Sequence, residues 1–215
     1  CIRDSSISGY HAAKPKKVQD LYDFYISNNN MPVLSMLNVK YFIKNDTNNP
    51  AGVTRNPNNL GNAWFVDEIR NVKNSNQEIL DLVKVDLKNI ALTQQLQNKR
   101  YPKDTVNSIN LVKRKSNHLV YEVKANSEQF VVFSEAFYKN GWNSTINSQR
   151  IDHYRVNYLL RGMEVPKGEY EIHFKFEPQV INQGSIIRTF AYIIFIIVLI
   201  YYLKKTIYVQ KNSKT

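Results

Sequence analysis

Residues 141–179 read GWNSTINSQRIDHYRVNYLLRGMEVPKGEYEIHFKFEPQ, and residues 190–203 read FAYIIFIIVLIYYL. The first stretch is strand-and-turn chemistry: Tyr170, Ile172, Phe174 and Phe176 alternate with Glu171, His173 and Lys175, the period-two pattern of a strand buried on one face. The second carries no charge. An α-helix rises about 1.5 Å per residue, so some 18 residues from Ile186 to Leu203 cover roughly 27 Å, close to a hydrocarbon core of about 30 Å. Apolar residues occupy every side of that helix rather than one stripe, which suits lipid better than a protein core. A β-module standing on a transmembrane helix is the expected arrangement.

The flanks set an orientation. Lys204, Lys205, Lys211 and Lys214 follow the run with no acidic residue after it, which predicts a cytoplasmic tail over 204–215. Arg188, Tyr192, Tyr201 and Tyr202 suit the two interfaces, so residues 1–185 are expected outside the cytoplasm.

Outward from residue 141, short strands recur at regular spacing from about residue 106: NSINLVKRKS, HLVYEVKAN, EQFVVFSEAFY, NSTIN, RVNYLLRGMEV and GEYEIHFKFEP, with NSQR as a hairpin turn. This predicts an antiparallel β-sandwich over 106–180. Residues 1–105 read as an α+β region, giving an α+β class for the whole. Val18, Leu21, Tyr22 and Tyr25 mark one face of a helix over 14–27 that starts at Pro15. A buried strand follows at Val39–Ile43, then an exposed loop over 45–62 rich in Asn, Pro and Gly. AWFVDEIR alternates as one strand, and an Asn cap precedes a helix with Ile79, Leu82 and Val83 inward.

The chain has 215 residues, 43% hydrophobic and 22% charged, values of an ordinary globular protein. Its net charge of +11 is scattered through strands and loops without a docking motif, which argues against a nucleic-acid partner. The single cysteine, Cys1, excludes an intrachain disulfide and a cysteine-rich zinc site. A chain opening on Cys reads either as part of a longer protein or as a lipidated mature start.

Five blocks in order, DSSISGYHAAK (4–14), VQDLYDFYI (18–26), MPVLSMLNVKYFI (31–43), NPNNLGNAWFV (56–66) and the long block from Phe130 to Pro178, followed by the closing apolar helix, carry a family resemblance. The chain resembles the C-terminal part of the YfhO-type bacterial membrane proteins, polytopic relatives of the GT-C glycosyltransferases. That resemblance implies a bacterial cytoplasmic membrane protein engaged in cell-envelope glycosylation from lipid-linked donors. Its partners would be the lipid bilayer, the remaining transmembrane part of the parent protein, and a polyprenyl-phosphate sugar or envelope glycan. GT-C catalytic acids typically lie in an early extracytoplasmic loop, so the resemblance assigns no catalytic residue here, and no cofactor. An accessory role follows, covering the active site or holding the acceptor. A membrane-tethered glycan- or protein-binding sandwich without activity is the alternative.

Candidate binding residues fall in two groups. Ser8, Tyr10 and His11 offer hydrogen bonds near Lys14, an attractor for phosphate. Trp142, Tyr154, Arg155, Asn157 and Arg161 combine aromatic platforms with polar neighbours, a pattern that suits sugars and equally suits sandwich-core or corner residues. Asp4, Ser5, Ser6, Ser8 and His11 hold triad residue types, but without a nucleophile elbow they read as a polar segment before the helix. The four histidines lack metal-ligand spacing. Asp67 and Glu68, adjacent on a strand, point to opposite faces and make a poor carboxylate pair, and nothing in the sequence sets the separation of Asp152 and Glu135.

Overall fold

A computed structural model describes residue 7, residues 14–46 and residues 49–212. The chain begins with α1 (Lys16–Leu21), whose first turn follows Pro15, and continues into a π-helical turn (Tyr22–Ile26). The wider i to i+5 bonding there shifts the helical phase, so Leu21, Tyr25 and Ile26 are all buried. α2 (Met31–Met36) is capped by Asn30, whose Oδ1 accepts from Val33 N at 3.2 Å. β1 (Tyr41–Asp46) and β2 (Asn49–Arg55) then form a two-stranded hairpin.

Three sequence expectations change here. The strand expected to be buried at 39–43 runs into this separate two-stranded sheet: Val39 and Phe42 pack against the core, while Tyr41 and Ile43 are 59% and 69% exposed. Much of the expected 45–62 loop is β2, and its end is anchored rather than loose: Asn56 is fully buried and donates to Val39 O at 2.9 Å. AWFVDEIR makes two strands, β3 (Ala63–Val66) and β4 (Glu68–Asn71), which join different sheets.

β4, α3 (Ser75–Asp81) and β5 (Ile90–Thr93) form a βαβ unit in which β4 and β5 pair in parallel, with β6 (Lys99–Arg100) antiparallel on the other side of β4. Asn74 caps α3 by accepting from Gln77 N at 2.9 Å. Ile79 and Leu82 face inward as expected, but Val83 lies beyond the helix end and is exposed.

Eight strands follow: β7 (Ser108–Lys115), β8 (His118–Ala125), β9 (Gln129–Ala136), β10 (Trp142–Ile146), β11 (Gln149–Arg150), β12 (Tyr154–Val156), β13 (Leu160–Val165) and β14 (Gly168–Phe176). They form a five-stranded antiparallel sheet ordered β11-β10-β14-β8-β7 and a four-stranded one ordered β12-β13-β9-β3. Tyr121, Phe133, Met163, Ile172 and Phe174 fill the space between the sheets. The NSQR hairpin has positive φ at Asn147 and Ser148, the conformation of a two-residue type I′ turn.

The four-stranded sheet is covered on both faces. Val131 and Phe133 of β9 point to the sandwich core, while Phe130 and Val132 point to a second core shared with Leu21, Tyr25, Met36, Ile69 and Leu92 from the helices and the β4–β5–β6 sheet. The result is three layers, with β3, from before residue 106, hydrogen-bonded to β9 inside the middle one. α4 (Gln179–Asn212) starts seven residues before the expected span, and none of the apolar stretch Gln179–Lys205 is buried inside the chain.

Candidate functional site

Ser8, Tyr10 and His11 lie outside the described residues. Lys14, just before α1, holds its ammonium 4.9 Å from the centre of the Tyr22 ring. The other sequence candidates separate onto the two faces of the middle sheet.

On the helical side, the turn after β12 carries Asn157 and Tyr158, both at positive φ (48° and 70°). Asn tolerates that region and Tyr does not, so neighbouring contacts must hold the turn. Asn157 exchanges backbone and side-chain bonds with Leu92 of β5, both at 2.8 Å. Tyr158 N donates to Glu78 Oε1 at 2.9 Å, and its hydroxyl donates to Asp20 at 2.6 Å. Glu78 is fully buried, and its Oε2 accepts from Gln94 at 2.6 Å and from Arg155 at 3.2 Å. Lys17 sits 3.7 Å over the Tyr158 ring, its pKa held down by burial and by Arg155 despite Glu78 and Asp20. Two cations meet two carboxylates here, so Arg155 and Asn157 are engaged in joining α1, α3, β5 and β12. Tyr154, half-buried on β12, has its phenol pushed up by burial and by the charges of Asp152 and Glu164.

On the sandwich side, Trp142 and Arg161 come together. Arg161 is 3% exposed, with its guanidinium 4.1 Å from the Trp142 ring and 5.3 Å from that of Phe174. Its Nε donates to Ala136 O at 3.0 Å, while Nη1 has no partner among the described residues. Burial lowers its pKa to about 10, so it stays a cation at neutral pH. Nearby, His153 Nδ1 lies 2.8 Å from the buried Ser144 Oγ, whose hydroxyl donates to Ile151 O at 2.5 Å. With its proton committed there, Ser144 accepts from His153 and the pair is not arranged to activate a nucleophile. Burial and the Arg161 charge push His153 down to about 4.

Trp142, one of the sequence candidates, also stands at the end of the sandwich nearest α4. Only Glu177 and Pro178 separate β14 from α4, and they are tied down: Phe176 N donates to Asn117 O at 2.9 Å and Glu177 N to Gly141 O at 2.7 Å. Gly141 has φ +125°, and a Cβ there would lie 2.6 Å from the Phe176 ring and 3.1 Å from Pro178 Cβ. The missing side chain leaves room for the Phe176 ring and Pro178 beside it. Trp142 and Tyr138 flank Phe176, at 5.4 Å and 6.3 Å between ring centres. Asn117, Asn143, Phe176, Glu177, Pro178 and Ile181 line an open groove of about 700 Å³ at this junction. Two amides, a carboxylate and an aromatic wall can bond hydroxyls and cover an apolar ring face.

The described residues thus present a folded body joined, with almost no linker, to one helix long and apolar enough to cross a membrane. The model of the bacterial membrane protein family YfhO matches residues 71–188, more than half of the chain. The chain belongs to the YfhO family of bacterial membrane proteins. The match runs from the end of β4 through every sandwich strand except β3 into the first part of α4, so the YfhO region includes both the junction and its groove. No curated protein and no solved structure matches the chain.

Proposed function

We propose that this YfhO family chain is the extracytoplasmic body and last membrane span of a protein acting in cell-envelope glycosylation from polyprenyl-phosphate sugars. Its part is accessory: the body covers the active site of the membrane-embedded remainder or holds the acceptor. In this reading residues 1–185 lie outside the cytoplasm and 204–215 inside. The observation that carries it is the junction groove. It is built at the start of α4, with Ile181 of that helix in its lining, and in this reading it would meet the sugar of a membrane-bound donor or a growing acceptor.

The test uses the full chain in nanodiscs titrated with a polyprenyl-phosphate hexose, read by the fluorescence of Trp142, whose ring packs tilted at 50° against groove-lining Phe176. A saturable change that is lost on replacing Asn117 and Asn143 by Ala supports the reading; no response in the unsubstituted chain refutes it. Topology is checked on intact cells in a Cys1→Ser background: an impermeant maleimide is expected to label Ser116→Cys and not Ser213→Cys. The β1–β2 hairpin favours a second reading, a tethered module that binds protein or glycan, because Ile43 and Val53 pair across it and stay 69% and 62% exposed.

A further inference from the structure

Strand register puts charge in order along the outer face of the five-stranded sheet. Phe174 and Ile172 of β14 are buried in the core, so Lys175, His173, Glu171 and Glu169 face outward. Directly opposite residues share a face, and the pairing places Asn143, Lys175, His118 and Lys115 in one row across four strands. The next row holds Arg150, Thr145, His173, Val120 and Lys113. The third holds Glu171, Glu122 and Asn110, and the fourth Glu169 and Lys124, ion-paired at 2.6 Å.

The basic rows lie at the α4 end, Lys175 being four residues before Gln179, and the acidic rows lie at the far end. Glu171 contacts His173 at 3.0 Å, and Glu169 lies six strand residues from Lys175, about 20 Å at about 3.4 Å per residue and well beyond a Debye length of about 8 Å, so neither acid pairs with the lysines of the basic rows. Lys113, Lys115, Lys175 and Arg150 are exposed, and none makes an ion pair among the described residues. The same cations act on His118, whose pKa is held down by burial and by Lys113, His173, Lys175 and Lys115.

We propose that this basic outer face is a docking surface for the anionic phospholipid headgroups of the leaflet from which α4 emerges, holding the sandwich against the bilayer. Charge complementarity selects the occupant: four unpaired cations sit beside the helix that enters the membrane, and their counter-ions are phosphates in that surface. The inference does not depend on the glycosylation reading.

In the Cys1→Ser chain, a fluorophore at Ser116→Cys, beside Lys115 in the β7–β8 turn, is reconstituted in vesicles bearing a headgroup-attached quencher. Quenching is expected to rise when phosphatidylglycerol replaces phosphatidylcholine and to fall in high salt. It should also fall in the variant Lys113→Gln, Lys115→Gln, Lys175→Gln, each lysine contributing about fivefold to the close state. A fluorophore at Ser127→Cys, at the opposite end of the sheet, should stay unquenched in every case. All three substituted side chains are exposed, and an unchanged unfolding midpoint verifies folding. Equal quenching of Ser116→Cys in both lipids, or in the variant and its parent, overturns the proposal. Protection of that site in native membranes but in no pure lipid overturns it too, assigning the face to a protein.

Discussion

Replacing Glu78 by Ala should cost the fold about 3–4 kcal/mol, because the buried carboxylate is the common acceptor of three donors from different elements. Removing it strands Tyr158 N, Gln94 Nε2 and Arg155 Nη2 at once, in a place where Arg155 Nε already lacks a partner among the described residues. A buried ion pair broken from one side typically costs about 3–5 kcal/mol; Arg155 is 21% exposed and can turn partly to water, which favours the lower end of that range. The Tyr158 amide has no such escape, and its left-handed backbone at φ 70° loses the contact that holds it. At about 1.4 kcal/mol per tenfold, the unfolded population rises between a hundredfold and a thousandfold. Glu78→Gln keeps an acceptor for Tyr158 but loses the charge facing Arg155, so its cost should fall near half. The assay is urea unfolding of the full chain in detergent, followed by Trp64, which is buried and donates to Leu87 O at 3.1 Å. A loss under about 1 kcal/mol for Glu78→Ala, or equal losses for the Ala and Gln variants, would refute the idea that the carboxylate's charge organises this layer.

Gly141→Val should uncouple strand from helix: φ +125° strains any L-residue by about 1–3 kcal/mol, and the new Cβ meets Phe176 at 2.6 Å. Spin labels on Ser116→Cys and Ser185→Cys should then show a broader distance distribution, while an unchanged narrow one would contradict the junction's rigidity. His153 makes stability depend on pH. Its folded pKa of about 4 lies below an ordinary value near 6.5, so its contribution is complete above about 6.5 and is lost as pH falls through about 4, by at most about 3 kcal/mol. His153→Gln should flatten that part of the stability profile; an identical slope in the variant would mean that other groups set it.

How far this architecture could be read ahead of the structure depended on which contacts are local. β14 was legible because one face is buried and the other is not, so Ile172 and Phe174 alternate cleanly with charges. β9 gave a strand but not its place: Phe130, Val131, Val132 and Phe133 form an unbroken apolar run because successive residues serve different cores. Nothing local in Ala63–Val66 marks it for pairing with a strand almost seventy residues later, which is why the middle sheet drew on a segment read as part of another region. Among the binding candidates, the Trp142–Arg161 contact joins residues on strands of opposite sheets, and the Glu78 cluster joins positions up to 138 residues apart. Gly141 looked like ordinary turn punctuation after Asn140. Its role depends on Phe176 and Pro178, which chain order places more than thirty residues away.

The net charge of +11 shows most clearly what register adds to composition. In linear order, Lys113, Lys115, Arg150 and Lys175 are scattered along the chain, and that scatter argued against a nucleic-acid partner. Folding removes the scatter, because antiparallel pairing reverses chain direction at each strand and collects the end of β7, the start of β8 and the end of β14 at one edge. That edge is also where α4 begins, and the Glu177 N–Gly141 O bond at 2.7 Å ties the chain to the sandwich just before the helix. A flexible linker would let any charged face drift to the membrane and would make the ordering of rows immaterial. A short, pinned junction makes the ordering matter, since it fixes which strand ends meet the headgroups and leaves Glu169 and Glu122 at the far end of the sheet. The coupling of Gly141 to the basic rows is therefore itself testable: in anionic vesicles, Gly141→Val should reduce Ser116→Cys quenching without altering a single charge.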